Sequence, residues 1–167
     1  MQLILMRHAK SDWQVDAGSD FQRPLNKRGI HDAPIMGRWL VGQGLMPEKI
    51  VSSPALRARQ TILAVAKELG FAGDRIIWNE EIYEASMHDL LNVIKQEAPG
   101  CNRLMLVGHN PALDALAFYL SKMTQNYMES GKLITTAAIA VFEIPGTEIN
   151  EHCAGLSAFI RPRELKK

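Results

Sequence analysis

Two arginines and two histidines in this sequence stand where the chain leaves short apolar runs that are typical of β-strands. Arg7 and His8 come directly after the first run. Arg57 lies about one helical turn beyond the second run, and His109 follows the clearest run of all. Ligands of an open α/β sheet bind beyond the carboxyl ends of its strands. We therefore expect these four side chains to converge on one crevice.

A cluster of this kind suits a phosphate group. Arginine offers planar, multi-donor contacts to phosphate oxygens, and N–H groups at a helix start also bind anions. A neutral imidazole is a competent nucleophile towards phosphorus, and neighbouring arginine charges help to keep it neutral. His8 is therefore the candidate nucleophile, and His109 is a candidate donor to an oxygen of the transferring group. This chemistry requires no metal ion.

Each of these residues also has an interpretation without chemistry. A histidine at a strand end is often a hydrogen-bonded structural residue, and His109 in its Gly-His-Asn-Pro segment could serve only as a turn into a helix. Arg57 and Arg59 have charged neighbours on a predicted helix, where arginines are usually solvated. Placement at equivalent strand ends favours the functional interpretation. The remaining histidines lie in polar surroundings and are predicted at the surface: His31, His88 and His152.

Apolar runs alternate with amphipathic segments along the chain, which predicts the elements that position these residues. Strands are predicted at Leu3–Met6, Ile50–Ser52, Arg75–Trp78, Leu104–Val107, Ile134–Ile144 and, more weakly, Gly155–Ile160. Helices are predicted at Asn26–Val41, from Ser53-Pro54 to Leu69, at Met87–Glu97 and at Ala112–Lys122. The predicted fold class is α/β, a three-layer sandwich with a mostly parallel central sheet and helices on both faces. Antiparallel pairing is expected near the C-terminus, where no helix separates the last two strands.

Composition limits the class of protein. The 167 residues, 47% hydrophobic and 22% charged, are typical of a soluble globular chain and fit one domain over 1–167. The net charge of +1 gives no field that favours nucleic acid or an anionic membrane. The first six residues are too short for a signal-peptide core, so we expect a cytoplasmic protein with reduced Cys101 and Cys153. A zinc site is not indicated, because the sequence has no closely spaced cysteine pair and no two histidines at i,i+4 spacing.

The segment around His8, Met6-Arg7-His8-Ala9-Lys10-Ser11, resembles the Arg-His-Gly signature of the histidine phosphatase (phosphoglycerate mutase-like) superfamily. Alanine at position 9, where many members carry glycine, is similar to the phosphohistidine phosphatase SixA branch. Further blocks that look like this branch follow in order: Pro24–Gly29, Ser52–Thr61, Ile82–Ser86, Val107–Pro111 and Phe159–Pro162. The resemblance extends over nearly the whole chain. It implies a phosphoglycerate mutase-like fold and a metal-independent phosphatase without a cofactor.

The resemblance also implies roles for individual residues. His8 would be the phosphorylated nucleophile, and the rest of the phosphate pocket would be Arg7, Arg57 and His109. In the block Arg-Ala-Arg-Gln-Thr the pocket arginine precedes alanine, which selects Arg57 over Arg59.

Three further residues have weaker assignments. Ser11 matches a position that often contacts phosphate in relatives, and Lys10 beside it either aids the approach of an anion or is solvated. Glu80, with Glu81, lies near the place where many members carry a general acid for an alkoxide leaving group. Members of this branch often lack that acid, and a general acid is worth about 10²–10⁴-fold in rate. Glu80 in the pocket would therefore favour ester substrates, although adjacent acids after a strand are commonly just solvated.

The expected substrate follows from the space around the pocket. Relatives that act on small esters often cover the site with an insertion between the second and third of these blocks, whereas here predicted helices and strands fill Thr61–Gly108. No large lid is therefore expected, and an open pocket suits a phosphohistidine displayed on a partner protein. The alternatives are a phosphatase of small phosphate esters and a non-catalytic phosphoprotein-binding module. The intact His8 argues against the second, because a pure binder needs no nucleophile.

Overall fold

A six-stranded sheet forms the centre of the protein, whose computed structural model describes residues 1–121, 133–146 and 148–165. The strands are β1 Gln2–Arg7, β2 Lys49–Ser52, β3 Ile77–Trp78, β4 Arg103–Gly108, β5 Ile139–Glu143 and β6 Gly155–Ile160. Their order across the sheet is β3-β2-β4-β1-β5-β6. Strands β1 to β4 pair with one another in parallel, whereas β5 pairs antiparallel with both β1 and β6. The predicted parallel sheet with antiparallel pairing near its C-terminal end is confirmed.

Helices cover both faces of this sheet. They are α1 Lys27–Gly42, α2 Leu56–Leu69, α3 Met87–Glu97, α4 Ala112–Ser121 and α5 Pro162–Leu165, with short 3₁₀ helices at Gly73–Arg75 and Glu80–Ile82. Ile4 and Met6 of β1 pack towards α1 and α2, and Leu3 and Leu5 pack towards α3 and α4. A strand buried on both faces needs apolar residues at every position, which explains the continuous run in β1. The three-layer sandwich is therefore confirmed, and no segment within 61–108 forms an inserted lid.

The strand register brings three strand ends together. Arg7 at the end of β1 lies beside Gly108 at the end of β4, and Ser52 at the end of β2 lies beside Val107. The N–H of His8 donates to the carbonyl oxygen of Gly108 at 3.1 Å, so the chain leaving β1 stays against the end of β4. The residues that follow these three strands therefore share one edge of the sheet.

The prediction of a single strand over Ile134–Ile144 is wrong in its first part, because β5 begins only at Ile139. The N–H of Ile134 donates to Oδ1 of Asp114 at 2.8 Å. Ala137 has a φ of 61° and donates its N–H to the carbonyl oxygens at and just beyond the end of β1, at 3.1 and 3.2 Å. Backbone groups held in this way are not free to pair in the sheet. The segment 134–138 therefore turns across the strand ends instead of extending β5.

Two other boundaries differ from the prediction by more than one residue. Helix α2 begins at Leu56 rather than at Ser53-Pro54, and Ala55 at its N-cap position makes no side-chain capping bond. Strand β3 is shorter than predicted, because 73–75 forms a 3₁₀ helix. The last residue predicted for α4, Lys122, lies outside the described residues. Among the helices that the structure describes, none combines the length and apolar character that crossing a membrane requires.

Gly29 in the first turn of α1 allows a close contact with the chain that follows His8. A Cβ at this position would overlap the carbonyl oxygen of Lys10, which accepts a hydrogen bond from the N–H of Asn26 at 2.9 Å. We expect Gly29→Ala to lower the free energy of unfolding by about 1–3 kcal/mol, measured by chemical denaturation. Gly42, at the other end of α1, has open space around its Cβ position, so Gly42→Ala is the matched control and should be neutral or stabilising. Equal stability of the two variants would contradict this interpretation.

Candidate active site

A cavity of about 250 Å³ lies at the edge of the sheet where β1 and β4 end. Its lining consists of Arg7, His8, Lys10, Ser11, Trp13, Arg23, Arg57, His109, Asn110 and Thr136. Four of these side chains are cationic and none is a carboxylate. The structure thus brings together the four residues assigned to the phosphate pocket, with both assigned substrate-binding residues. We call this space the catalytic cavity.

Glu80 is the one candidate that the structure does not bring to the catalytic cavity. It begins the 3₁₀ helix Glu80–Ile82, its side chain is exposed, and it is absent from the lining. The carbonyl oxygen of Glu80 accepts the N–H of Tyr83 at 3.0 Å, which keeps this turn tight.

Hydrogen bonds fix the protonation pattern of His8. Its Nδ1 lies 2.8 Å from the carbonyl oxygen of Ala9, and because a carbonyl only accepts, Nδ1 must carry the proton. The lone pair is therefore on Nε2, which receives the Nε–H of Arg57 at 3.4 Å. The N–H of Ala9 donates to Oγ1 of Thr61 at 2.9 Å, which holds this turn against α2. The geometry presents Nε2 of a nearly buried imidazole as the nucleophilic atom.

Both histidines of the catalytic cavity are neutral at ordinary pH. Burial is the main cause that lowers the pKa of His8 well below 6.5; a proton on the neighbouring His109 would lower it further, as do the charges of Arg57 and Arg7. Burial, followed by the charge of Arg57, lowers the pKa of His109 to about 3. A histidine without its proton is the form that attacks phosphorus.

His109 lies beside the nucleophile. The ring centroids of His8 and His109 are 5.0 Å apart, and Nε2 of His109 lies 2.8 Å from Oγ of Ser53. Nδ1 of His109 and Nε of Arg7 are buried and have no hydrogen-bond partner among the described residues. Buried polar groups are normally paired, so these two atoms fit hydrogen bonds to the oxygens of a bound tetrahedral anion.

Asp20 positions Arg57. The Nη1 of Arg57 donates to the carbonyl oxygen of Asp20 at 2.7 Å, and Nη2 donates to its Oδ2 at 3.0 Å. Burial alone would raise the pKa of Asp20, but hydrogen bonds from Arg23 and Tyr83 and the charge of Arg57 lower it to about 2. Asp20 is therefore ionised and has no proton to donate at neutral pH. It holds the guanidinium of Arg57 next to His8.

Arg23 is a further cationic residue that the sequence did not reveal. It is 8% exposed, its Nη1 donates to Oγ of Ser11, and its guanidinium lies 3.6 Å from the centre of the Trp13 ring. Its position depends on a long loop that folds back on itself, with an isolated β-bridge between Ser11 and Leu25. Asp20 belongs to the same loop. The only available signal was that Arg23 directly precedes the Pro24–Gly29 block.

Other residues are placed as the sequence indicated. Arg59 stacks on the ring of Trp78, with 4.2 Å to the ring centre, and does not line the catalytic cavity. The three remaining histidines are exposed: His31, His88 and His152. Cys101 and Cys153 form no disulfide. Within the described ranges, no group of three histidine, cysteine or acidic side chains lies close enough to hold a metal ion.

The neutral state of His109 predicts a pH dependence of stability. Its pKa is about 3 in the folded chain and about 6.5 in the unfolded chain. The unfolded chain therefore takes up a proton first as the pH falls, so this contribution is intact above about pH 6.5 and is lost towards pH 3. We expect a loss of about 1 kcal/mol per pH unit from this residue between about pH 6 and pH 4.

Chemical denaturation across that pH range measures the effect. His109→Gln should give a shallower fall in the free energy of unfolding than the wild type, whereas His88→Gln, an exposed control, should leave the slope unchanged. An identical slope for the wild type and His109→Gln would show that His109 is not held neutral by burial.

Comparisons with known proteins agree with this geometry. The family model of the histidine phosphatase superfamily (branch 1) matches residues 3–92. The phosphohistidine phosphatase SixA of Escherichia coli (strain K12) is 30% identical over 84% of this chain and 83% of its own length. The structure of the protein histidine phosphatase SixA complexed with tungstate has a TM-score of 0.83 and 25% identity, over 99% of this chain and 100% of that one.

A second solved structure is similar to the same extent. The putative phosphohistidine phosphatase SixA from Agrobacterium tumefaciens has a TM-score of 0.83 and 28% identity, over 96% of this chain and 97% of that one. The family match covers more than half of the chain and includes the segment that carries Arg7, His8 and Arg57. The chain therefore belongs to the histidine phosphatase superfamily (branch 1) and is a phosphatase, with a cationic cavity built around a neutral histidine.

Proposed function

We propose that this phosphatase removes the phosphoryl group from phosphohistidine on a partner protein, through a phosphoenzyme on His8. One observation carries the proposal: the catalytic cavity combines four cationic side chains and a neutral nucleophile with no carboxylate in its lining. Such a cavity stabilises a transferring phosphoryl group by charge and position but supplies no carboxylic acid for a poor leaving group. It therefore suits a substrate whose leaving group needs no such acid.

In the first step, the Nε2 lone pair of His8 forms a bond to phosphorus while the P–N bond of the substrate breaks. A phosphoimidazole that is protonated at its other ring nitrogen leaves as neutral imidazole, so the cavity donates no proton. The ring of His8 becomes positive, and its Nδ1–H bond to the carbonyl oxygen of Ala9 stabilises that charge. Arg7, Arg57 and His109 hold the oxygens of the transferring group.

In the second step, water attacks the phosphorus of phosphorylated His8. The P–N bond breaks, its electron pair returns to Nε2, and both protons of the water leave with the phosphate as H₂PO₄⁻, which releases one of them to solvent at neutral pH. His8 is then neutral again, with its proton still on Nδ1. The same cations stabilise both steps, because the charge on the phosphoryl oxygens is similar in each.

A protein-borne substrate is supported by access to the site. The chain between Thr61 and Gly108 is occupied by α2, β3, two 3₁₀ helices, α3 and β4, so it supplies no cover over the catalytic cavity. At the rim, Trp13 is 73% exposed. The resemblance to SixA proteins, which are named for phosphohistidine, supports the same substrate. A cytoplasmic location, where thiols stay reduced, fits the free Cys101 and Cys153.

A substrate panel tests this function. We expect kcat/KM for a phosphohistidine protein to exceed that for phosphoserine peptides and sugar phosphates by about 10²-fold or more, because the esters need an acid and the lining of the catalytic cavity contains no carboxylic acid. Faster turnover of the small esters would contradict the proposal. Glu80→Gln should leave phosphohistidine turnover unchanged, as should its neighbour control Glu81→Gln. A selective loss of ester hydrolysis in Glu80→Gln would instead assign Glu80 as a general acid.

A further inference from the structure

A second cavity of about 410 Å³ adjoins the catalytic cavity. The two share three lining residues, Arg57, His109 and Asn110. The second cavity has its own walls, formed mainly by Asp20, Tyr83, Glu84 and Pro111. A phosphoryl group held by the shared residues therefore has its substituents within reach of this second space.

The two cavities differ in charge. The catalytic cavity has four cationic side chains and no carboxylate, whereas the second cavity contains the carboxylates of Asp20 and Glu84 besides the shared Arg57. Tyr83 lines the second cavity next to His109: its ring centre is 5.8 Å from that of His109, and its hydroxyl donates to Oδ2 of Asp20 at 3.0 Å. The rings of Tyr83 and Phe21 pack edge to face, with 5.1 Å between ring centres. The second space is thus an aromatic surface bordered by negative charge.

We propose that this second cavity is the subsite for the leaving group, and that it selects rings that are neutral or cationic over rings that carry a negative charge. An imidazole or imidazolium ring fits the face of Tyr83, because aromatic rings attract other rings and cations. The carboxylate of Glu84, more than that of Asp20, which is paired with Arg57 and Arg23, repels leaving groups that carry carboxylates or further phosphates. The inference rests on the proposed function, and it makes the surroundings of the phosphohistidine, as well as the phosphate, a determinant of specificity.

A third space borders the catalytic cavity on another side and has the opposite character. This groove of about 460 Å³ is lined partly by Lys10, Trp13, Lys27 and Arg28. It shares Lys10, Ser11 and Trp13 with the catalytic cavity but not Arg57 or His109, the two side chains that lie beside the ring of His8. For this reason we assign the leaving group to the acidic side.

The test measures binding of two phenylphosphonates with para substituents of opposite charge, 4-(aminomethyl)phenylphosphonate and 4-carboxyphenylphosphonate, by titration calorimetry. The quantity of interest is the Kd of the anionic ligand divided by the Kd of the cationic ligand. Glu84 is exposed, and at its φ of 56° glutamine and lysine meet the same backbone cost, so Glu84→Gln and Glu84→Lys should fold. We expect Glu84→Lys to lower the ratio by about three- to tenfold and Glu84→Gln to lower it less.

Two controls locate the effect. Glu148→Lys changes the net charge equally at an exposed position outside the cavities near the catalytic centre and should leave the ratio unchanged. Lys27→Glu reports on the basic groove and should also leave it unchanged. An unaltered ratio in Glu84→Lys, a larger change in Lys27→Glu, or no measurable binding of either phosphonate to the wild type would overturn the assignment. These outcomes require no turnover, so they are distinct from a failure to hydrolyse phosphohistidine, which would overturn the proposed function instead.

Discussion

His8→Ala is expected to lower phosphatase activity by about 10⁴-fold or more, because the variant has no atom that can form the covalent phosphoenzyme. The remaining cations would still bind the phosphate, so the loss should appear in kcat while the affinity for inorganic phosphate changes little. Initial rates with a phosphohistidine protein and with an aryl phosphate measure the first quantity, and calorimetry with phosphate measures the second.

The matched control is His31→Ala, which removes an exposed histidine outside the catalytic cavity and should keep wild-type activity. We expect His8→Ala to fold, because the hydrogen bond from Nδ1 of His8 goes to the adjacent Ala9 and supports no distant element. Thermal unfolding checks that the variant is folded. Retention of more than about 1% of the activity in a folded His8→Ala protein would exclude His8 as the essential nucleophile.

Arg57→Lys is expected to lower kcat/KM by about 10²–10³-fold, although the charge is retained. The guanidinium of Arg57 donates through Nη1 and Nη2 to Asp20 while its Nε faces Nε2 of His8. A lysine has a single ammonium group and cannot make all three of these hydrogen bonds at once. The cation would therefore no longer be fixed beside the transferring phosphoryl group. Steady-state kinetics with the same phosphohistidine protein measure the effect.

Arg59→Lys provides the control for this prediction. Arg59 lies two residues further along α2, stacks on Trp78 and does not line the catalytic cavity. Its replacement should change kcat/KM by no more than about twofold, as is usual for a side chain that touches no substrate. Equal losses in Arg57→Lys and Arg59→Lys would mean that the directed guanidinium of Arg57 has no special part in catalysis.

The central part of the site could be predicted from the sequence because it depends on strand ends. A buried parallel strand has a strong apolar signal, and parallel neighbours end at the same edge of a sheet. Arg7 is the last residue of β1, and His8 and His109 directly follow β1 and β4, so identifying two strands was enough to place all three. The placement of Arg57 also depends on the start of α2. It is predicted correctly although the helix begins at Leu56 and not at Ser53-Pro54.

The supporting part of the site could not be predicted because it depends on loops. Asp20 and Arg23 lie in a segment without apolar periodicity, and their contacts with Arg57 and Ser11 arise from how that segment folds back. Thr136 was assigned to a strand because Ile134–Ile144 is rich in β-branched residues. Backbone N–H groups of the segment 134–138 donate hydrogen bonds to the carboxylate of Asp114 and to carbonyl oxygens at the end of β1. These partners are distant in sequence, so no local pattern predicts them.

The formation of a phosphoenzyme on His8 is the central claim, and rapid quenching during turnover tests it most directly. Mass spectrometry and phosphorus NMR of the quenched protein should find one phosphoryl group, labile in acid and stable in base, attached to Nε2 of His8. The attachment is predicted at Nε2 because Nδ1 carries the proton and donates it in a hydrogen bond to the carbonyl oxygen of Ala9. Phosphate on Nδ1 or on another residue, or wild-type turnover without any phosphorylated histidine, would contradict the account.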